Sequence, residues 1–131
     1  MTYKPKTFIT SSGFKVLVGR NANENDLLTL KMSRKADLFF HTSDVSGSHV
    51  VLIVDQNQSV PRLDISEAAF LAAKHSKSNK KIIKIDYTEI SNVFKPKKAP
   101  VGEVEITTYK SIKIDTTDEQ FLNIRKQLNR S

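Results

Sequence analysis

Several residue types that support specialised chemistry are missing from this chain of 131 residues. It has no cysteine, which excludes disulfides, thiolate metal ligands and a cysteine nucleophile. No apolar run approaches the roughly 20 residues that a membrane-spanning helix needs. Residues 1–6 contain no apolar signal-peptide core. We therefore expect a cytoplasmic protein that does not associate with a membrane.

Aromatic side chains are also scarce, because tryptophan is absent and aromatics make up 8% of the residues. Few side chains are therefore available to stack on exposed bases. Tyr87, Phe94 and Tyr109 are the candidates, and we expect Phe94 to pack in the core instead. This scarcity favours contacts with a nucleic-acid backbone over base-by-base reading.

Positive charge is in excess, with a net charge of +7 and a pI near 9.7. In a domain of this size the excess favours an anionic partner, with nucleic acid ahead of a membrane surface. Two groups of lysines concentrate the charge: the first lysine cluster is Lys74, Lys77, Lys80, Lys81 and Lys84, and the second is Lys95, Lys97 and Lys98. Beside Arg20 they would form a continuous positive face that releases counterions from each neutralised phosphate. The alternative is a solvated lysine-rich surface.

Short apolar segments separated by turn residues predict an α+β fold. We expect a mostly antiparallel sheet with one main helix packed on it, a short N-terminal helix and a C-terminal helix. A hairpin is predicted through Ser11-Ser12-Gly13, and a strand over 90–94. The main helix is predicted over 61–74, capped by Asp64 or Ser66.

The two other helices follow from capping residues and apolar spacing. Asn23 or Asn25 is predicted to cap the short helix running toward Met32, whose apolar face would be Leu27, Leu28, Leu30 and Met32. The C-terminal helix is predicted from Thr117 or Asp118 onward. We expect one domain over residues 1–131, with a core over about 7–115 and a helical tail over 116–131.

Segment 37–52 places a short polar turn between two apolar runs, 38–41 and 49–54, which are predicted as strands. A loop held by two buried strands is a rigid platform for functional side chains. We interpret Gly47-Ser48-His49 as an anion nest, in which backbone N–H groups face one ligand oxygen. The alternative is a strand-entry turn whose polar groups satisfy each other.

A second polar segment begins at Gly19. The planar guanidinium of Arg20 matches phosphate oxygens and is always charged. Asn21 and Asn25 either contact a base edge or phosphate, or build a turn and a helix cap. For Asn25 we favour the structural role.

These segments resemble the NFACT-R domain, a module of the NFACT proteins of ribosome-associated quality control that also occurs in a stand-alone form. The motifs that carry the resemblance lie between about Phe8 and Ile114, in order: Thr10-Ser11-Ser12-Gly13-Phe14, Val18-Gly19-Arg20-Asn21-Ala22, Glu24-Asn25-Asp26, Asp37-Leu38-Phe39-Phe40-His41, Asp44, Gly47-Ser48-His49-Val50, Ala68-Ala69, Ala72-Ala73, Ser76, Asp86-Tyr87-Thr88, Lys95-Pro96 and Gly102-Glu103-Val104. The chain departs from the family at Phe39, where Trp is common, and at Ser46, where Pro usually precedes the Gly-Ser-His run.

The resemblance implies an α+β domain that binds RNA, with tRNA on the large ribosomal subunit as its context. We expect a non-enzymatic RNA-binding module of translation quality control, acting on tRNA or ribosomal RNA without a cofactor or a metal. The candidate nucleic-acid-binding residues are Arg20, Asn21, Asn25, His41, Asp44, Gly47, Ser48, His49, Lys74, Lys77, Lys81, Lys95, Lys97 and Lys98. DNA stays an alternative ligand, because phosphate contacts alone do not distinguish it from RNA.

Two other function classes are kept as alternatives. One is a protein–protein adaptor for the ribosome or a separate protein, using Phe121, Leu122, Ile124 and Leu128 of the C-terminal helix. The other is a metal-dependent RNA-processing or RNA-modifying enzyme that uses His41 and His49 with Asp37 and Asp44, although their spacing matches no metal signature. Serine catalysis is disfavoured, because Ser48 lacks the Gly-x-Ser-x-Gly elbow.

Overall fold

A computed structural model describes residues 5–55 and 58–130, in which helices pack on a six-stranded sheet. The strands are β1 (Lys6–Ile9), β2 (Lys15–Val18), β3 (Leu38–Thr42), β4 (Val50–Leu52), β5 (Ile82–Glu89), β6 (Val93–Phe94), β7 (Glu105–Ile106) and β8 (Lys110–Asp115). The α-helices are α1 (Ala22–Asp26), α2 (Arg62–Lys74) and α3 (Leu122–Arg130), with a π-helical segment over Leu27–Met32 and 3-10 turns over Ile90–Asn92 and Glu119–Phe121.

The sheet has the order β1-β2-β4-β3-β5-β8, and all neighbouring strands are antiparallel. β6 and β7 pair with each other in a separate small sheet. This arrangement confirms the predicted α+β class with a main helix, a short N-terminal helix and a C-terminal helix. None of the helices in the described ranges is long and apolar enough to cross a membrane.

The hairpin between β1 and β2 is tied to α2 by two buried carboxylates. Asp64 accepts hydrogen bonds from the Thr10 hydroxyl and from the backbone N–H and hydroxyl of Ser12. Glu67 accepts two more from Ser11. The predicted caps of α2 were wrong, because the residue before the helix is Pro61 and it makes no side-chain cap.

One face of the sheet, here called the covered face, packs against α2 and α3. Its core includes Phe40 and Ile85 from the sheet and residues 68–73 of α2, all buried. Phe121 stacks on Phe70 with ring centroids 4.8 Å apart, and Ile124 is fully buried. Two of the four residues proposed for an adaptor helix are therefore part of the chain's own core, whereas Leu122 is 54% exposed, so the apolar surface left to the adaptor alternative is small.

The opposite face, here called the open face, is covered at one end only. There the π-helical segment and the β6–β7 pair bury Leu28, Phe39 and Val51. The predicted apolar face of the short helix was mostly wrong, because its three other members are exposed: Leu27, Leu30 and Met32. The wider π-helical turn directs Leu28 and Thr29 inward instead.

Two further sequence predictions are corrected in this region. The cap of α1 is Asn21, whose side-chain oxygen accepts from the Glu24 N–H at 2.9 Å, rather than Asn23 or Asn25. The predicted strand over 90–94 is a 3-10 turn followed by two strand residues. Phe94, expected in the core, is 43% exposed.

Candidate nucleic-acid interface

The uncovered part of the open face is the floor of a groove of about 1240 Å³. Its walls are the start of α1, the turn over 43–48 and the segment over 100–106. The groove brings Arg20, His41, Gly47 and Lys77 together, although they are far apart in sequence. The polar turn and the arginine segment singled out in the sequence therefore share one concave surface.

The groove floor carries a row of polar residues that crosses three strands, β3, β5 and β8. His41 on β3 lies opposite Asp86 on β5, which lies opposite Ser111 on β8. The hydroxyls of Ser43 and Ser111 both donate to Asp86 Oδ1, at 2.7 and 2.6 Å. On the other side of His41, the row continues to His49, which directly precedes β4 and contacts the His41 ring. Sequence reasoning missed Asp86 as a site residue, although the alternation of β5 places it on the face opposite Ile83 and Ile85.

His49 is a buried structural residue at the end of this row. Its ring Nδ1 lies 2.7 Å from the Thr29 hydroxyl, and its backbone N–H donates to Asn25 Oδ1 at 3.1 Å. Burial, followed by the charge of His41, lowers the pKa of His49 to about 4. At neutral pH His49 is therefore uncharged. Its side chain, 2% exposed, packs beneath the groove floor and supports it.

His41 is the half-buried histidine that lines the groove. It stacks on Phe39 with centroids 6.3 Å apart and meets His49 edge-on at 5.5 Å. Burial lowers the pKa of His41, while the nearby Asp86 carboxylate acts in the opposite direction. Its ring therefore offers a neutral donor or acceptor to a bound molecule at neutral pH.

The turn over 46–48 is joined to the end of α2. Gly47 forms a bridge with Ser76, Ser48 N–H donates to His75 O, and Lys77 N–H donates to Ser46 O. A Cβ at Gly47 would lie 3.0 Å from the Ser76 Cα, so a larger residue would need Ser76 to shift by a few tenths of an ångström.

Two of the three backbone N–H groups of the predicted anion nest donate within the protein, so the nest stays a prediction. Ser48 N–H donates to a carbonyl and His49 N–H to Asn25. The strand-entry turn, the alternative considered from the sequence, describes the geometry. Contact between the Ser48 hydroxyl and a ligand stays a prediction.

Arg20 is exposed at the groove and held in one orientation by Glu24. Its Nε and Nη2 donate to the two carboxylate oxygens at 2.9 and 2.8 Å, with 55% of the Arg20 side chain exposed. These hydrogen bonds lower the pKa of Glu24. Asn21 and Asn25 both have structural roles: Asn21 caps α1, and the buried Asn25 packs against Gly19 and accepts a hydrogen bond from the His49 N–H.

The lysines differ in how they are engaged. Lys77 lines the groove. Lys74, Lys97 and Lys98 are exposed and lie close in sequence to residues that line it. Lys81 lies 3.8 Å from an Asp115 oxygen in an exposed ion pair. Lys95 is structural, since its Nζ pairs with Asp26 at 3.0 Å and bonds two backbone carbonyls.

Carboxylates also line the groove, which corrects the expected continuous positive face. The acidic lining residues are Asp44, Asp86, Glu103 and Glu105, against the cations Arg20 and Lys77. Cations therefore flank an interior of mixed charge. The phosphates of a polyanion bound along the groove must follow the cationic positions and keep away from the carboxylates.

The four-residue metal site considered from the sequence is not assembled. Asp37 lies at the far end of β3, where it accepts from the N–H groups of Arg34 and Val54, each at 2.8 Å. Within residues 5–55 and 58–130, no three His, Asp or Glu side chains are grouped to hold a metal ion.

Comparison with known proteins gives consistent matches. The sequence model described as "NFACT protein RNA binding domain" matches residues 4–108. The chain is 31% identical over 122 residues to the Rqc2 homolog RqcH of Bacillus subtilis, covering 92% of this chain and 21% of the relative. It is 33% identical over 101 residues to ribosome quality control complex subunit 2 of Schizosaccharomyces pombe, covering 74% of this chain and 10% of the relative.

A solved structure has the same fold. The C-terminal part of the fibronectin/fibrinogen-binding protein from Streptococcus suis superposes with a TM-score of 0.82 at 31% identity, covering 93% of this chain and 50% of the other. The chain thus spans half of that solved chain and about a fifth of the bacterial relatives.

Proposed function

This chain belongs to the family of NFACT protein RNA binding domains, and we propose that it binds RNA in translation quality control. The names of its bacterial and fission-yeast relatives refer to the ribosome quality control factor Rqc2 and complex. Because the chain spans about a fifth of the bacterial relatives, the proposal covers the RNA contact alone. The ligand is tRNA or ribosomal RNA, and the place of action is the cytosol.

The observation that carries this proposal is the groove on the open face. It is the place where Arg20, His41 and Lys77 converge from distant parts of the chain. A sheet face left partly uncovered and lined by polar side chains suits a polar ligand, since an apolar partner would remove the polar groups of Asp86 and His41 from water without adding hydrogen bonds. The net charge of +7 supplies long-range attraction for a polyanion.

Backbone contacts dominate the proposed binding mode. Arg20 is oriented by Glu24 and exposed at the groove, so less side-chain entropy is lost when it meets a phosphate. Tyr109 is 52% exposed and lines the groove, and it supplies one stacking platform for a base. We propose that Lys77, Lys97 and Lys98 add salt-sensitive attraction rather than sequence reading.

The module acts without catalysis in this proposal. A serine nucleophile needs a base within hydrogen-bonding reach. The ring Nδ1 of His49, next in sequence to Ser48, is instead within hydrogen-bonding distance of Thr29. The carboxylate of Asp86 is held by two serine hydroxyls, an arrangement that fits ligand binding.

The test is a fluorescence titration of labelled tRNA with this chain across a salt series, with a ribosomal RNA fragment in parallel. We expect affinity to fall steeply as salt rises, because each phosphate contact releases counterions. A variant with Arg20→Ala and Lys77→Ala should bind more weakly with a shallower salt slope. Weak binding by the unaltered chain with no salt slope would contradict the proposed function.

A further inference from the structure

We propose that the open face across β5 and β8 is a ribose–phosphate site, in which Lys84 and Lys113 bind phosphate and Asp86 accepts a hydrogen bond from a ribose 2′-hydroxyl. This inference rests on the proposed RNA binding and names the part of RNA that is recognised. It assigns the distinction between RNA and DNA to one carboxylate.

The lysines are a like-charged pair held face to face. Lys84 on β5 lies directly opposite Lys113 on β8, and both are exposed. Directly opposite residues have Cβ atoms about 5 Å apart, and like charges there are destabilising. In the part of the chain that the structure describes, neither lysine forms an ion pair. A phosphate between the two ammonium groups would relieve this repulsion.

Protection of a sheet edge explains only one of these lysines. β8 is an edge strand, and lysines on edge strands commonly block pairing with other chains. Lys84 lies on β5, which is flanked by β3 and β8 and has no free edge. Edge protection therefore does not explain why Lys84 is placed opposite a second lysine.

Asp86 has the donor pattern of a carboxylate prepared for a ligand. Ser43 and Ser111 both donate to its Oδ1, which fixes the orientation of the carboxylate. No donor among residues 5–55 and 58–130 hydrogen-bonds to its other oxygen, Oδ2. An ionised carboxylate oxygen is acceptor-only, so it pairs with a hydroxyl and repels a phosphate.

The two residue types lie one step apart on the same face of each strand, close enough for neighbouring groups of one RNA backbone to reach both. Lys84 and Asp86 are two residues apart on the same face, a distance of about 6.8 Å along β5. Ser111 and Lys113 repeat the same step on β8, in register with them. An RNA backbone lying along these strands therefore meets the two lysines first and then Asp86, which accepts a hydrogen bond from a ribose hydroxyl.

The lysine pair is tested with Lys84→Ala combined with Lys113→Ala. We expect binding to an RNA and to a DNA of the same sequence to weaken by the same factor, with the salt slope shallower by roughly one to two. The matched control removes two exposed positive charges from the helical layer, Arg62→Ala with Lys126→Ala. Equal effects of the two double variants would overturn the assignment.

The carboxylate is tested with Asp86→Ala, using the ratio of RNA affinity to DNA affinity. We expect this ratio to fall by about tenfold, because a hydrogen bond to a charged group is lost with RNA only. Ser111→Ala keeps the carboxylate and should change the ratio far less. An unchanged ratio in a folded Asp86→Ala protein would refute the role of Asp86.

The outcomes separate this inference from the proposed function. An unaltered chain that does not bind RNA would refute both. An unaltered chain that binds RNA, with both variants binding like it, would refute the ribose–phosphate site alone. Circular dichroism and thermal unfolding of each variant show that the fold is intact before affinities are compared.

Discussion

The two faces of the six-stranded sheet are built by neighbouring residues of the same strands. On the covered face lie Phe40 and Ile85, both fully buried under the helices. On the open face lie the next residues in sequence, His41 and Asp86, which line the groove. Because successive side chains of a strand point to opposite faces, one residue step separates the core from the candidate binding surface.

The difference shows where stability and binding are located. The covered face excludes water and depends on apolar area and close packing. The open face carries polar groups, half-buried as at Asp86 or fully buried as at His49, and pairs them with hydroxyl groups. Substitutions of buried residues on the covered face and of exposed residues on the open face should therefore separate loss of folding from loss of binding.

The largest expected effect comes from the covered face. Phe40→Ala should lower the free energy of unfolding by about 3–5 kcal/mol, since it leaves a cavity in a packed core and removes the stacking of Phe40 on Tyr87. The measurement is urea unfolding followed by circular dichroism. The neighbouring change His41→Ala should cost much less, and similar costs at both positions would contradict the contrast between the faces.

The second effect is a pH dependence of stability due to His49. Its pKa is about 4 in the folded protein against 6.5 when unperturbed, so between these values the unfolded state binds more protons. The stability contributed by neutral His49 is present above pH 6.5 and is lost as the pH falls toward 4, a loss of roughly 3 kcal/mol.

Urea unfolding at a series of pH values checks this prediction. His49→Gln should flatten the pH dependence, although it also lowers stability by losing the contact with Thr29. His75→Gln is the control, because His75 also has a lowered pKa but is less buried. A His49→Gln curve parallel to that of the unaltered protein would count against the assignment.

A third effect tests how the groove floor is braced. Gly19→Ala would place a Cβ 2.1 Å from Asn25 Oδ1, which displaces that side chain and leaves the buried His49 N–H unpaired. We expect a loss of about 2 kcal/mol in unfolding free energy. In an Asn25→Ala background the same change should cost less, because the hydrogen bond is already absent. If the two substitutions changed the unfolding free energy additively, displacement of Asn25 would not be the cause of the loss.

The smallest effect concerns the exposed pair at the groove wall. Glu24→Gln should leave the unfolding temperature almost unchanged, since exposed ion pairs contribute little. It should raise RNA affinity a few-fold, because the charge that offsets Arg20 is removed. Glu119→Gln removes the same charge from an exposed position before α3. An equal rise in RNA affinity in both variants would show that the net charge of the protein, and not the release of Arg20 from Glu24, causes the effect.

Much of the fold was predictable from local pattern. The hairpin through residues 11–13, the strand pair around the polar turn and the main helix all follow from turn residues and apolar spacing. The helix caps and the short elements were not predictable in this way, because a cap depends on which side chain reaches the free N–H groups. Asp64 looks like a helix cap in sequence, yet it binds the Thr10 turn instead.

The candidate site was predictable in part. Arg20, His41 and Gly47 were named from the sequence, and all line one groove. His49 and Lys95 were also named, but both side chains contact other residues of the protein, Thr29 and Asp26 respectively. Asp86 and Lys113 were missed, because their significance depends on strand register, which pairs residues far apart in sequence.

The sequence alone determined the family, the positive charge and the alternation that gives the sheet one apolar face, since these depend on composition and on the two-residue period of a strand. Tertiary structure alone decided which polar residues reach the groove. The Ser48 N–H of the Gly47 turn donates to His75 O at the end of α2, and Lys84 meets Lys113 through strand pairing. Such non-local pairings are set by packing and register, and no local pattern encodes them.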